Sequence, residues 1–198
     1  MQTLWLVRHA HRLDFIEPEW FDTAIHRYDP PLSPAGVKRS HDLASELSHI
    51  PIDRLFSSPF LRAIQTAAPL ARLLELPIQL EWGLCEWLCQ DWSSELPQTT
   101  PVEELIKFYP SIDANYQSSI LPCYPETSAQ LNIRTHIIAR KLVQCNCKNV
   151  VTVAHKGSIL GIVAALTGEA KWQTYDLACG EMIKLVGDGE IWSGIVEG

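Results

Sequence analysis

Glycine is scarce through most of this sequence: of ten glycines, only Gly36 and Gly83 precede Gly157. The first strand-like run, residues 4–7, therefore cannot lead into a glycine-rich phosphate loop. Neither G-x-G-x-x-G nor G-x-x-x-x-G-K-[ST] occurs anywhere, which argues against dinucleotide-binding and P-loop chemistry. Long apolar runs are missing as well. No stretch approaches the roughly 18 apolar residues that would span a bilayer. The run at residues 4–7 is too short for a secretion-signal core and has no basic flank before it. The six cysteines, Cys85, Cys89, Cys123, Cys145, Cys147 and Cys179, form no C-x-x-C pair. Cys145-Asn146-Cys147 and Cys85-x3-Cys89 lack a second half for a zinc site. Reduced thiols and a cytoplasmic location are expected. An excess of positive charge is also lacking: 16 Lys plus Arg against 23 Asp plus Glu leave a net charge of −7. That balance repels nucleic acid and anionic membrane, and neither is expected as a partner.

What is present is the mixture of a globular core. The 198 residues are 46% hydrophobic and 20% charged, enough for one domain. Residues 4–7 read as a buried strand and residues 13–32 as a loop. Ser33-Pro34 starts a helix, with Ser33 as N-cap and Pro34 in the first turn. Val37, Leu43, Ala44 and Leu47 fall on one face of it, to about residue 49. A short strand at 53–57 leads through Ser57-Ser58-Pro59 into a second helix, which Pro69 is expected to kink. Residues 77–80 read as a third strand. Residues 82–125 hold five of the thirteen prolines and three of the seven tryptophans, and read as an inserted, loop-rich lobe. Regular pattern returns with an amphipathic helix at 128–144, with Leu131, Ile137, Ile138 and Leu142 inward. A strand at 150–154, a helix at 157–166 and a terminal hairpin turning at Gly187-Asp188-Gly189 follow. Alternating strands and helices predict an α/β fold: a three-layer α/β/α sandwich around a mostly parallel sheet.

Three junctions concentrate cationic and imidazole side chains. Val7-Arg8-His9 follows the first strand, Ser57-Ser58-Pro59-Phe60-Leu61-Arg62 the second, and Ala154-His155-Lys156-Gly157-Ser158 a later one. Ligands of open α/β sheets bind outside the carboxyl ends of the strands, beside helix N-termini. His26, His41, His49 and His136 are read as structural, and Arg54, Arg72 and Arg140 as solvated charges. For His9 and His155, position alone leaves a structural and a functional reading open.

The motifs go further than position. Leu6-Val7-Arg8-His9-Ala10 resembles the R-H-G signature of the histidine phosphatase superfamily, which has the phosphoglycerate-mutase-like fold. Pro31-Leu32-Ser33-Pro34-Ala35-Gly36 is similar to that family's P-L-[ST]-x-x-G. The run from Ser57 through Arg62-Ala63-Ile64-Gln65-Thr66-Ala67 matches its S-S-P-x-x-R-x-x-Q-T-A, and Val153-Ala154-His155 with Gly157 its V-x-H-G. Arg12, three residues after His9, together with Tyr28-Asp29-Pro30-Pro31 and Gly83-Leu84-Cys85-Glu86-Trp87, resembles one branch. That branch holds the suppressor-of-T-cell-receptor-signalling phosphatase domains and ecdysteroid-phosphate phosphatase.

The resemblance implies a phosphomonoesterase working through a phosphohistidine on His9, without cofactor or metal. Arg8, Arg12 and Arg62 would clamp the phosphate, His155 would complete the clamp, and Glu86 would protonate the leaving group. Guanidinium forks suit such a clamp because they bind phosphate oxygens in pairs and stay charged. Glu81 is the nearest rival of Glu86 as proton donor, and Asp91 a more distant one. Ala10 stands for the usual glycine, His11 where many members carry Glu, and Lys156 for a small residue. Trp82, Trp87 and Trp92, with Phe108, Tyr109, Tyr116 and Tyr124, either form the lobe's own core or line an apolar mouth. A mouth of that kind would favour a bulky or aryl phosphate as substrate partner. A catalytically weak phospho-ligand binding module and a phosphoglycerate-mutase-type phosphotransferase remain the alternatives. A homodimer stays open.

Overall fold

Residues 1–197 are described by the computed structural model. Six strands, β1 (Gln2–Arg8), β2 (Arg54–Ser57), β3 (Ile78–Leu80), β4 (Asn149–Ala154), β5 (Met182–Gly187) and β6 (Trp192–Glu197), form one sheet. Its order is β3-β2-β4-β1-β5-β6. The first four strands in that order run parallel, β5 pairs antiparallel with β1, and β6 antiparallel with β5. The helices are α1 (Trp20–Thr23), α2 (Pro34–Leu47), α3 (Leu61–Leu74), α4 (Val102–Phe108), α5 (Ser128–Gln144) and α6 (Lys156–Thr167).

The expected three layers follow from strand alternation. On one face Trp5 and Val7 of β1 and Val151 and Val153 of β4 pack against Leu43 and Leu47 of α2 and Ile64 and Leu70 of α3. On the other, Leu4 and Leu6 of β1 and Val150 of β4 meet Ile138 and Leu142 of α5 and Ile159 and Ile162 of α6. Each such side chain, fully buried, stabilises the fold by about 1.5–3 kcal/mol.

Local sequence rules account for the starts of α2 and α5. Ser33 Oγ accepts from the Gly36 N–H at 3.1 Å to cap α2. A reciprocal capping box between Thr127 and Gln130 starts α5. Pro69 lies inside α3, which runs on unbroken to Leu74. Two further expectations are corrected. Val37 and Ile137 are 44% and 40% exposed: both stand at the margin of an apolar stripe that faces the sheet. Residues 82–125 contain the unforeseen α4, two turns whose Leu105 is buried. Elsewhere that segment is largely irregular, apart from a 3-10 turn at Trp82–Leu84.

Candidate active site

The site lies where β1, β2 and β4 end. The carbonyl of Ala154 accepts the His9 N–H at 2.9 Å, and that of Val153 accepts the Ser58 N–H at 2.9 Å, so all three junctions are tied together. The Gly180 N–H lies 3.2 and 3.1 Å from the Arg8 and His9 carbonyls, and the Ala10 N–H donates to Thr66 Oγ1 at 3.0 Å.

His9 is 1% exposed. Its Nδ1 lies 2.9 Å from the Ala10 carbonyl. A carbonyl only accepts, so Nδ1 carries the proton and Nε2 is bare. Burial, then Arg62 and His155, hold its pKa well below the ordinary imidazole range. His155 is fully buried, with its ring 5.1 Å from that of His9 and edge-on to Phe60 at 5.3 Å. Its Nε2 meets Ser58 Oγ at 2.8 Å. Its Nδ1 lies 3.3 Å from both Arg62 Nη2 and Glu86 Oε2. Burial pushes His155 down to about 4 against the pull of Glu86. Burial also opposes ionisation of Glu86, but His155, Arg62 and His9 outweigh it and hold the carboxyl far below its ordinary range.

Arg62 is 2% exposed, with Nη1 3.8 Å from Asp29 Oδ1 and Nη2 3.8 Å from Glu86 Oε2. Its guanidinium lies over the Phe60 ring, 4.6 Å from the centroid. Arg12 makes a two-pronged contact with buried Asp14, Nε to Oδ1 at 2.9 Å and Nη2 to Oδ2, and lines the same cavity as Arg62. Arg8 Nη1 donates to the Leu177 carbonyl at 2.6 Å. The Nε atoms of Arg8 and Arg62 are buried without a hydrogen-bond partner among the described residues, so both remain free to donate to an anion. The cavity has a volume of about 280 Å³ and opens past Phe21, Tyr28, Trp87 and Trp92.

A family model described as Histidine phosphatase superfamily (branch 1) matches residues 4–192. The chain belongs to the histidine phosphatase superfamily. Curated relatives include the transcription factor tau 55 kDa subunit of Saccharomyces cerevisiae, 31% identical over 127 residues. That match covers 62% of this chain and 29% of the relative. Phosphoserine phosphatase 1 of Hydrogenobacter thermophilus is 37% identical over 114 residues, covering 56% of this chain and 48% of the relative. The matched region thus spans less than half of either relative. Among solved structures, the ecdysone phosphate phosphatase of Bombix mori in complex with tungstate superposes with a TM-score of 0.82 at 16% identity. It covers 98% of this chain and 92% of that one, which establishes the common fold.

For this member of the histidine phosphatase superfamily, the rivals of Glu86 are accounted for elsewhere. Glu81 caps the 3-10 turn through the Gly83 N–H at 3.0 Å and accepts from Tyr116, Ser119 and Lys141. Asp91 is exposed. His11 contacts Ser33 Oγ at 3.0 Å, beside the α2 cap. Lys156 pairs with exposed Asp176 at 2.5 Å. The aromatics divide: Trp82 and Tyr124 pack on Phe60 and Leu88, Tyr116 joins the α5 core, Tyr109 packs against the α3 side, and Phe108 is 77% exposed. Trp87 and Trp92 face the cavity.

His9, Glu86 and His155 each offer a ligand atom within 4.8 Å of the others, close enough in principle to hold a cation. Arg62, within 3.8 Å of both Glu86 and His155, makes the position favour an anion instead. The motif reading overlooked three contributors. Ser58 fixes His155. Asp29 accepts the Leu61 N–H at 2.7 Å, beside Arg62. Arg134 binds the chain that carries Glu86. Ser58 and Asp29 stood inside the quoted motifs, but their partners are set by tertiary packing.

Proposed function

We propose that this chain is a phosphomonoesterase in which His9 is the nucleophile and Glu86 the proton donor. The observation that carries the reading is the His9 ring: neutral, with its proton held on Nδ1, 5.1 Å from the His155 ring and clustered with Glu86, which Arg62 approaches. In this mechanism the phosphate dianion is bound by Arg62, Arg12 and Arg8, with His155 completing the clamp. His9 Nε2 attacks phosphorus while the bond from phosphorus to the ester oxygen breaks. The leaving oxygen takes the proton of Glu86. Water then attacks the phosphohistidine, returns a proton to Glu86 and releases inorganic phosphate.

Glu86 is held ionised by its neighbours, so the donor role needs a change on binding. A phosphate dianion beside it neutralises the guanidinium field and adds repulsion, both of which raise the proton affinity of the carboxyl. The proton enters with the ester or from solvent. No metal ion is needed, because the guanidinium groups supply the positive charge. The aromatic rim, Trp87 and Trp92 above all, favours a bulky or aryl ester, and residues 82–125 are proposed as the substrate-facing lobe. A catalytically weak binding module is the second reading, supported by the low proton affinity of Glu86 in the free site.

The test is hydrolysis of p-nitrophenyl phosphate, with vanadate as inhibitor and an alkaline denaturing quench to trap a phosphoenzyme. Turnover in the presence of chelator, together with a base-stable, acid-labile phosphoryl adduct missing from His9→Ala, is expected. Ester binding by calorimetry without turnover would favour the binding module.

A further inference from the structure

We infer that Arg134 is a positioning residue for Glu86, an inference that rests on the reading of Glu86 as proton donor. Arg134 lies on α5 and is 2% exposed. Its Nε and Nη2 reach Glu126 Oε1 and Oε2, each at 2.7 Å, as a two-pronged buried pair. The rest of the fork serves the chain leading into Glu86. Nη1 donates to the Gly83 carbonyl at 2.8 Å and the Cys85 carbonyl at 3.1 Å, and Nη2 lies 3.3 Å from the Glu86 carbonyl. Three carbonyls within four residues thus point at one guanidinium.

The same group reaches the other side of the site. Nη1 lies 3.2 Å from Ser158 Oγ, and Ser158 in turn donates to the Cys85 carbonyl. Ser158 is in the first turn of α6, three residues after His155. Glu126 holds the far flank: its N–H donates to the Leu88 carbonyl at 2.8 Å, and its carbonyl accepts Trp87 Nε1 at 2.9 Å. Glu86 is therefore anchored on both sides, and its distance from His155 is set through Arg134.

A planar fork with five N–H groups can serve these acceptors together. A lysine keeps the charge opposite Glu126 but has neither the plane nor the donor count. Glu86 would then retain its chemistry and lose its placement.

The experiment compares Arg134→Lys with the wild-type chain on two esters. The p-nitrophenolate leaving group departs without a proton, whereas phenolate, from phenyl phosphate, needs one. The expected result is a fall in kcat on phenyl phosphate at least about tenfold larger than on p-nitrophenyl phosphate, with KM for both nearly unchanged. An equal fall on both esters, or none, overturns the inference. Should Arg134→Lys fail to fold, Ser158→Ala removes the contact to Arg134 and the bond to the Cys85 carbonyl, leaves the buried ion pair whole and reads the same ratio. Glu86→Gln is the control. Leaving-group dependence there, but not in the Arg134 and Ser158 variants, overturns the positioning role alone. Its absence in Glu86→Gln overturns the proton-donor reading, and the inference with it.

Discussion

His9 donates its Nδ1 proton to the carbonyl of its own neighbour, Ala10, across 2.9 Å. The contact is local, so it forms wherever the chain after β1 takes this turn, and it leaves the tautomer no freedom. Burial and the nearby Arg62 then oppose a second proton. We expect nitrogen-15 NMR at pH 6 to find His9 neutral and protonated on Nδ1. A charged ring, or one protonated on Nε2, would remove the nucleophile from the mechanism.

Arg62 is fixed between Asp29 and Glu86, each 3.8 Å away. Arg62→Lys keeps a charge but loses the fork. A charge-assisted hydrogen bond contributes about 1.5–3 kcal/mol, and 1.4 kcal/mol is about a tenfold change. Steady-state kinetics on p-nitrophenyl phosphate should show kcat/KM lower by about tenfold or more. A loss of less than about twofold would exclude Arg62 from the phosphate clamp.

Stability should depend on pH through groups of opposite sign. His155, pushed down to about 4 by burial, binds a proton more readily unfolded than folded. Its contribution is complete above the unfolded value near 6.5 and is lost as pH falls toward 4. His9 acts in the same direction. Asp29, raised to about 6 by burial against the pull of Arg62, acts in reverse: its ionisation costs stability as pH rises from 3.8 through 6. Urea unfolding between pH 4 and 7 should therefore show a flatter rise for His155→Gln and a steeper one for Asp29→Asn. Unchanged slopes in both would contradict these environments.

Gly36 is held by a close backbone approach. A Cβ there would lie 2.2 Å from the His11 carbonyl oxygen, which also accepts the Ser33 N–H at 2.9 Å. Backbone cannot swing aside as a side chain can. Gly36→Ala should destabilise the fold by about 1–3 kcal/mol or more, measured by chemical denaturation. It should also weaken activity, because His11 is two residues from His9.

The elements readable in advance were those whose signal is periodic or punctuated: the apolar strands, the Ser33-Pro34 helix start, and α5. Helix α4 was hidden because seven residues carry barely two turns of periodicity, between Pro101 and Pro110. Ile137 was misjudged because an apolar stripe can be wider than the surface it covers. At the site, the two histidines, Arg62 and Glu86 could be picked out by resemblance, and the structure brings them together. Arg8 and Arg12 are adjacent in sequence to the cluster, yet Arg8 reaches toward Leu177 and Arg12 grips Asp14. That Glu81 caps the 3-10 turn at Trp82–Leu84 could not be read from its spacing. The contacts that tie Asp29, Arg134 and Glu126 to the site could not be read locally, since they span 32, 51 and 38 positions of the chain.

The strand that ends at His9 is central in space and early in sequence. Thr3 pairs with Asn149 on one side and Val186 on the other. As the chain emerges from a ribosome, one edge of β1 therefore waits about 145 residues for β4 and the other about 180 for β5. Such edges are adhesive toward other chains. The site is thus assembled only once β4 and β5 have been made, and the interval before they arrive is when β1 is most open to pairing with other chains.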